Sequence, residues 1–217
     1  MSRAAKDHPP PDWEGLLTKA LERAGLFSAA EARLHNIGTA LLRYAVTRGR
    51  VEPFLIRGIY RFTAAPQSNV DQLYALWIWS GEVGVFSHET ALRLHELSDV
   101  LPARVHLTLP AAWQKRRLRV PKWAELFFYD LERMDTTYAE GLPVTTPLRT
   151  IRDTALLGTA PEQVEMAMKD GLHRGLFTRS GLTRALKDTP WPSSFGPPTA
   201  SSARSKPASA KRARARA

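Results

Sequence analysis

SAAEARLHNIGTALLRYAVTRG, residues 28–49, is the stretch whose reading decides the fold of this chain. It opens on Ser28-Ala29-Ala30-Glu31, the spacing of a capping box, in which Ser28 bonds the backbone N–H of Glu31 and Glu31 reaches back. A short helix therefore starts at Ser28 and ends near His35. Asn36-Ile37-Gly38 makes a turn. Thr39–Arg48 is a second helix, stopped by Gly49. Upstream, Asp12–Ala24 has helical spacing, with Trp13, Leu16, Leu17 and Leu21 on one side. Downstream, two β-prone runs, Val51–Ile56 and Ile59–Phe62, flank a bend at Arg57-Gly58. Helix, helix, turn, helix and hairpin, in that order over 12–63, read as a winged helix-turn-helix.

The helix over 39–48 divides into two faces. Leu42, Ala45 and Val46 make an apolar stripe at i, i+3 and i+4. The opposite face presents Thr39, Ala40, Arg43, Tyr44 and Thr47. Arg43 has the reach and fork geometry for guanine O6 and N7. Thr39, Tyr44 and Thr47 are candidates for base or phosphate contacts. Arg48, Arg50, Arg57 and Arg61 surround the helix end and wing, where phosphate contacts set register. The competing reading is an ordinary helical unit with a solvated basic face.

The bulk numbers point the same way. The chain has 217 residues and a formal net charge of +10, which favours an anionic partner. Six of those charges (Arg204, Lys206, Lys211, Arg212, Arg214 and Arg216) lie in 190–217, which holds no acid, so the rest carries +4. That Pro-, Ser-, Ala- and Arg-rich segment reads as a disordered basic tail. It either adds salt-sensitive affinity for nucleic acid or simply aids solubility. With no cysteine, disulfides and zinc–thiolate sites are excluded, which fits a cytoplasmic protein. No signal peptide or membrane span is expected.

Beyond a linker at Ala64–Ser68, residues 69–188 alternate helix and strand signals. Asn69 is placed to cap a helix running to Trp79, and Ser87 another running to about Leu97. Arg104–Leu109 alternates as a half-buried strand. Strands follow at Leu126–Leu131, Asp135–Tyr138 and Leu142–Thr145. Helices are predicted over Pro147–Leu157 and Pro161–Arg174, with a last one from Thr178 or Ser180 to about Asp188. The fold class expected is α+β: an N-terminal winged helix-turn-helix, then a mixed helix/strand domain, then the basic tail.

Candidate chemistry in this second part is sparse. Ser87, His88 and Glu89 tempt a triad reading, but neighbours on a helix do not face one another, so a helix cap is the better account. His88, His95 and His106 are three histidines without supporting acids, and neither a metal nor a cofactor is expected. Arg149 and Asp153 stand at i and i+4, the spacing of an ion pair. Arg149 and Arg152 could alternatively line a phosphate- or partner-facing surface. Trp113–Trp123 holds Lys115, Arg116, Arg117, Arg119 and Lys122 between two tryptophans. This segment either binds nucleic acid or is a solvated loop with its tryptophans packed inward. No Walker loop, GxGxxG or paired carboxylates occur, and no enzymatic activity is expected.

Several phrases carry a resemblance when read in order: Phe86–His95 (FSHETALRLH), Val105–Pro110 (VHLTLP), Gly141–Asp153 (GLPVTTPLRTIRD) and the wing Arg57–Arg61 (RGIYR). Together they resemble the AbiEi family, antitoxins of type IV toxin–antitoxin, or abortive infection, systems. The similarity runs from about Asp12 to Lys187. The chain departs from the family at Gly38, where a polar cap is frequent, and at Ala40, where a basic or polar residue is usual. The resemblance implies a winged helix that represses its own promoter. It also implies a C-terminal antitoxin domain that counteracts a nucleotidyltransferase-type toxin, without requiring a stable complex. Alternatives are a stand-alone winged-helix regulator without a toxin, or a remnant of a nuclease-fused relative; in the latter case the basic run after Asp188 leaves no room for a metal-dependent nuclease domain.

Overall fold

The computed structural model describes residues 9–187 and 189, so the tail at 190–217 lies outside the described residues. The architecture is α+β, with two sheets and eight α-helices among those residues. Helix α1, Trp13–Leu21, is capped by Asp12, whose carboxylate accepts the Gly15 N–H at 2.8 Å. Strand β1, Leu26–Ser28, leads directly into helix α2, Ala29–Leu34. The capping box forms: Glu31 N–H donates to Ser28 Oγ at 3.1 Å and Ser28 N–H donates to Glu31 Oε2 at 2.9 Å. Asn36, in the left-handed region at φ +59°, turns the chain. Helix α3, Thr39–Thr47, follows, and Gly49 at φ +65° stops it.

Strands β2, Val51–Pro53, and β3, Ile59–Phe62, form an antiparallel pair, and β1 adds to the other edge of β3, giving the order β1-β3-β2. Strand β1 was not expected from the sequence. Helix α4, Asp71–Trp79, comes next. Asn69 does not cap it. Asp71 instead turns back to accept the Ser68 N–H at 3.1 Å and the Ser68 hydroxyl at 2.6 Å.

The larger sheet has five strands. They are β4, Val85–Phe86; β5, Val105–Leu109; β6, Ala124–Phe128; β7, Thr136–Ala139; and β8, Leu142–Thr145, in the order β6-β5-β4-β8-β7. β5 runs parallel to β6, and β4 runs parallel to β8. Because β5 lies inside the sheet, His106–Leu109 is buried throughout rather than on alternate residues. Helix α5, His88–Leu94, follows β4. Helices α6, Pro147–Leu157, α7, Pro161–His173, and α8, Arg179–Ala185, close the fold, with proline at the first turn of α6 and α7.

Leu16, Phe27, Ile37, Leu42, Ala45 and Phe62 form a core of their own in the N-terminal unit, while a second core crosses residue 64. Leu26, Ile56 and Ile59 of the small sheet pack with Leu73, Leu76, Phe86 and Leu107 of the following region. Two buried arginines reinforce this junction. Arg23 donates to Glu31 at 2.6 Å and also pairs with Glu82, while Arg61 lies 3.6 Å from Asp71. No helix among the described residues is long and apolar enough to cross a membrane.

Candidate nucleic-acid interface

Helix α3 rests on the core through Leu42 and Ala45, and Ile37 anchors the turn beneath it. Thr39, Ala40, Arg43, Tyr44 and Thr47 form the outward face, and all five are exposed. Gly38 has no side chain to cap the helix, so the first-turn N–H groups have no side-chain partner. Such amides suit an anionic oxygen. The Thr47 hydroxyl donates to the Tyr44 carbonyl at 2.8 Å, which fixes its rotamer and leaves its oxygen lone pairs outward.

Arg48 donates through Nε to Tyr44 Oη at 3.0 Å, with its guanidinium 5.2 Å from the ring centre. Arg50 lies 4.3 Å above the Trp13 ring. Both cations are thus held in place by aromatic faces while remaining exposed. Arg57 projects from the bend between β2 and β3, beside Gly58 at φ +90°. Among the described residues, no carboxylate lies within ion-pair distance of Arg43, Arg48, Arg50 or Arg57.

Arg61 is a correction. It is 3% exposed, donates to the Ala65 carbonyl at 2.9 Å and faces Asp71. Its strand position explains this. Arg61 and Ile59 are two apart on β3 and share the face turned toward the core. Seven of the eight residues expected to touch nucleic acid are therefore exposed, and Arg61 is not.

The second expected surface is divided in the same way. Arg149 donates through Nε to both oxygens of Asp153, at 2.9 and 3.0 Å, and through Nη1 to Asp135 at 2.6 Å. Burial alone would lower its pKa, but those carboxylates hold it above the ordinary value. Burial pushes the Asp153 carboxyl up, against the pull of Arg149 and Tyr129. Arg149 is thus tied to two carboxylates, while it still lines a groove at the surface. Arg152 opens onto a groove of about 420 Å³, where Arg184 joins it from α8. No local spacing marks Arg184, which helix packing brings into the groove.

Ser87 is a second correction. It precedes α5, but its hydroxyl caps nothing. His88 takes φ +51°, and the Ser87 side chain is turned inward. Ser87 Oγ lies 2.9 Å from His88 Nδ1 and 2.8 Å from Thr108 Oγ1. Thr108 continues to Tyr129 Oη at 3.2 Å, and Tyr129 donates to Asp153 at 3.0 Å. Burial pushes His88 down to about 3, aided by His106 and Arg149, and pushes the Tyr129 phenol up to about 12. This polar chain is closed from solvent at Ser87, which is 0% exposed. His95 points elsewhere, its Nε2 donating to the Thr145 carbonyl at 2.7 Å. Among the described residues no group of three metal-ligating side chains converges.

Comparison with known proteins yields a fold likeness alone. No family model matches the chain, and no curated protein does. The crystal structure of the RV2827C protein from Mycobacterium tuberculosis is similar, with a TM-score of 0.54 and 15% identity, covering 87% of this chain and 76% of that one.

Proposed function

We propose that this chain is a DNA-binding repressor of its own promoter and the antitoxin of a type IV toxin–antitoxin pair. In this reading, residues 12–63 are a winged helix-turn-helix, with α3 as the recognition helix and the β2–β3 hairpin as the wing. Residues 69–188 are the antitoxin domain. The observation that carries the DNA reading is the uncompensated outward face of α3. Arg43, Tyr44 and Thr47 stand there together, flanked by Arg48 and Arg50 and by Arg57 at the hairpin tip. Arg43 reads a base edge, and the other arginines set register on phosphates.

The antitoxin half of the proposal rests on the AbiEi-like phrases. Its target would be a nucleotidyltransferase-type toxin, counteracted functionally rather than through an obligatory complex. Arg152 and Arg184 line a groove of that half that could receive a partner.

The test is binding to the DNA just upstream of the gene, against scrambled DNA, across salt. Wild type is expected to prefer the native duplex. Arg43→Ala and Arg57→Ala are each expected to lose operator binding while keeping the wild-type melting temperature. Unchanged binding in both variants removes the recognition-helix assignment. For the second half, co-expression with a neighbouring nucleotidyltransferase-like toxin is expected to restore growth, and failure to do so counts against the antitoxin role.

A further inference from the structure

We propose that the arginine-rich loop between β5 and β6, residues 113–123, is a second duplex contact. It would grip the phosphodiester backbone of the same DNA beyond the base pairs that α3 reads. This inference rests on the reading of α3 and the hairpin as the DNA-binding unit.

Three observations carry it. First, the fold brings the loop to the wing. Arg57 and Arg119, sixty-two positions apart in sequence, line one groove of about 480 Å³ together with Leu55 and Trp79. The wing side of that groove is held by Ile56 and Ile59, which are buried in the core, so the juxtaposition is fixed by packing. Second, the loop is charged on one sign only. Lys115, Arg116, Arg117, Arg119 and Lys122 are all exposed, and no acid occurs in 110–123. Among the described residues none of the five has a carboxylate within ion-pair distance. Five uncompensated cations on one short segment repel one another unless an anion sits among them.

Third, the aromatic residues are not available for base stacking. Trp113 and Trp123 pack against the core, as does Leu118. The Arg116 guanidinium lies 4.0 Å from the centre of the Trp113 ring and occupies one of its faces. A single-strand platform needs open aromatic faces. Here the tryptophans anchor the loop, and what they present outward is charge. Charge without open rings suits phosphates, and its place beside the wing suits the backbone of the duplex that the wing already meets.

The experiment uses the full chain and a labelled duplex of the upstream DNA, with a scrambled duplex and the matching single strand as competitors. The variant Lys115→Gln/Arg117→Gln/Arg119→Gln leaves Arg116 on Trp113, so the loop keeps its anchor; Arg119→Gln alone is the milder second variant. Each phosphate contact contributes about 0.9 to the slope of log K against log salt. The triple variant is therefore expected to flatten that slope by about 2 to 3 and to weaken binding roughly 10- to 100-fold near physiological salt. Its preference for native over scrambled duplex stays unchanged, because phosphate contacts carry no sequence information. Wild-type slope and affinity in both loop variants, alongside lost preference in Arg43→Ala, would overturn the loop contact and leave the DNA reading standing. Absence of duplex binding by wild type, or stronger binding to the single strand, would overturn both.

Discussion

Arg61 offers the sharpest separation between a charge that holds the fold and a charge that meets a ligand. Its guanidinium is buried, with one nitrogen on the Ala65 carbonyl and another 3.6 Å from the Asp71 carboxylate, which is itself 6% exposed. Arg61→Met keeps the stem volume and removes the charge. Breaking a buried pair from one side costs about 3–5 kcal/mol, because the remaining charge is left unpaired. Asp71 still accepts two bonds from Ser68, which places the cost near the lower end, about 3 kcal/mol. For a chain of this size that is a fall of roughly 6–12 °C in melting temperature. The double variant Arg61→Met/Asp71→Asn removes the stranded charge and keeps an acceptor for Ser68. It is expected to lose less than Arg61→Met alone, a coupling a double-mutant cycle in urea reads directly. Below its melting temperature, Arg61→Met should bind DNA with the wild-type salt slope, since a buried cation releases no counterion from phosphate. A variant that melts within about 1 °C of wild type while its slope falls by about 0.9 would refute the reasoning and return Arg61 to the interface.

Two further outcomes follow from the second half of the chain. His88 is held down to about 3 by burial, with His106 and Arg149 adding to the effect, so the unfolded chain takes up a proton first, near its ordinary value of 6.5. Stability is therefore full above pH 6.5 and falls as the pH drops toward 3, by about 1.4 kcal/mol per pH unit for this residue. His88→Asn, which tolerates the left-handed backbone, should flatten the urea midpoint between pH 6.5 and 5; an unaltered slope would place the titration elsewhere. In α7, a Cβ at Gly171 would run into the Phe177 ring. Gly171→Ala should lower the urea midpoint by an amount equivalent to about 1–3 kcal/mol, the reverse of the usual gain from alanine in a helix.

What the sequence made legible was whatever is decided within a few residues. The Ser28–Glu31 box, the Pro147 and Pro161 helix starts and the Thr178 cap act through neighbours three residues away, and each sits where the spacing placed it. Strands β1 and β4 were not legible. They are three and two residues long, too short to alternate, and exist because β3 and β5 offer them open edges from at least twenty residues away. The same distance rule explains the site. The face of α3 follows from its own period, so Arg43, Tyr44 and Thr47 could be read outward. The fate of Arg61 depended on Asp71 and on β3 being the central strand. Ser87 departs from the cap reading because the spacing of a cap says nothing about long-range partners, and its hydroxyl instead accepts from Thr108 in the core. Arg119 and Arg57 were both legible as exposed cations, but their meeting in one groove was not.

That meeting has a consequence for how the protein would bind. The small sheet shares its core with the larger one through Leu26, Ile56 and Ile59, and Arg23 ties α2 to the turn after α4 by pairing with both Glu31 and Glu82. Burying such an apolar side chain stabilises by about 1.5–3 kcal/mol in all, part of it from the junction. Swinging the wing away from the loop would expose all of them at once and strand a buried arginine. The face of α3, the wing tip and the loop at 113–123 therefore keep one relative geometry before any partner arrives. A cationic surface fixed in advance loses less conformational freedom on binding. In the proposed complex it would also fix the distance between the base pairs facing α3 and the phosphates facing the loop. Specificity in that complex would then depend on spacing along the duplex as well as on the proposed contact of Arg43 with a base edge. A jointed protein, with a flexible link at 64–68, would lose that dependence.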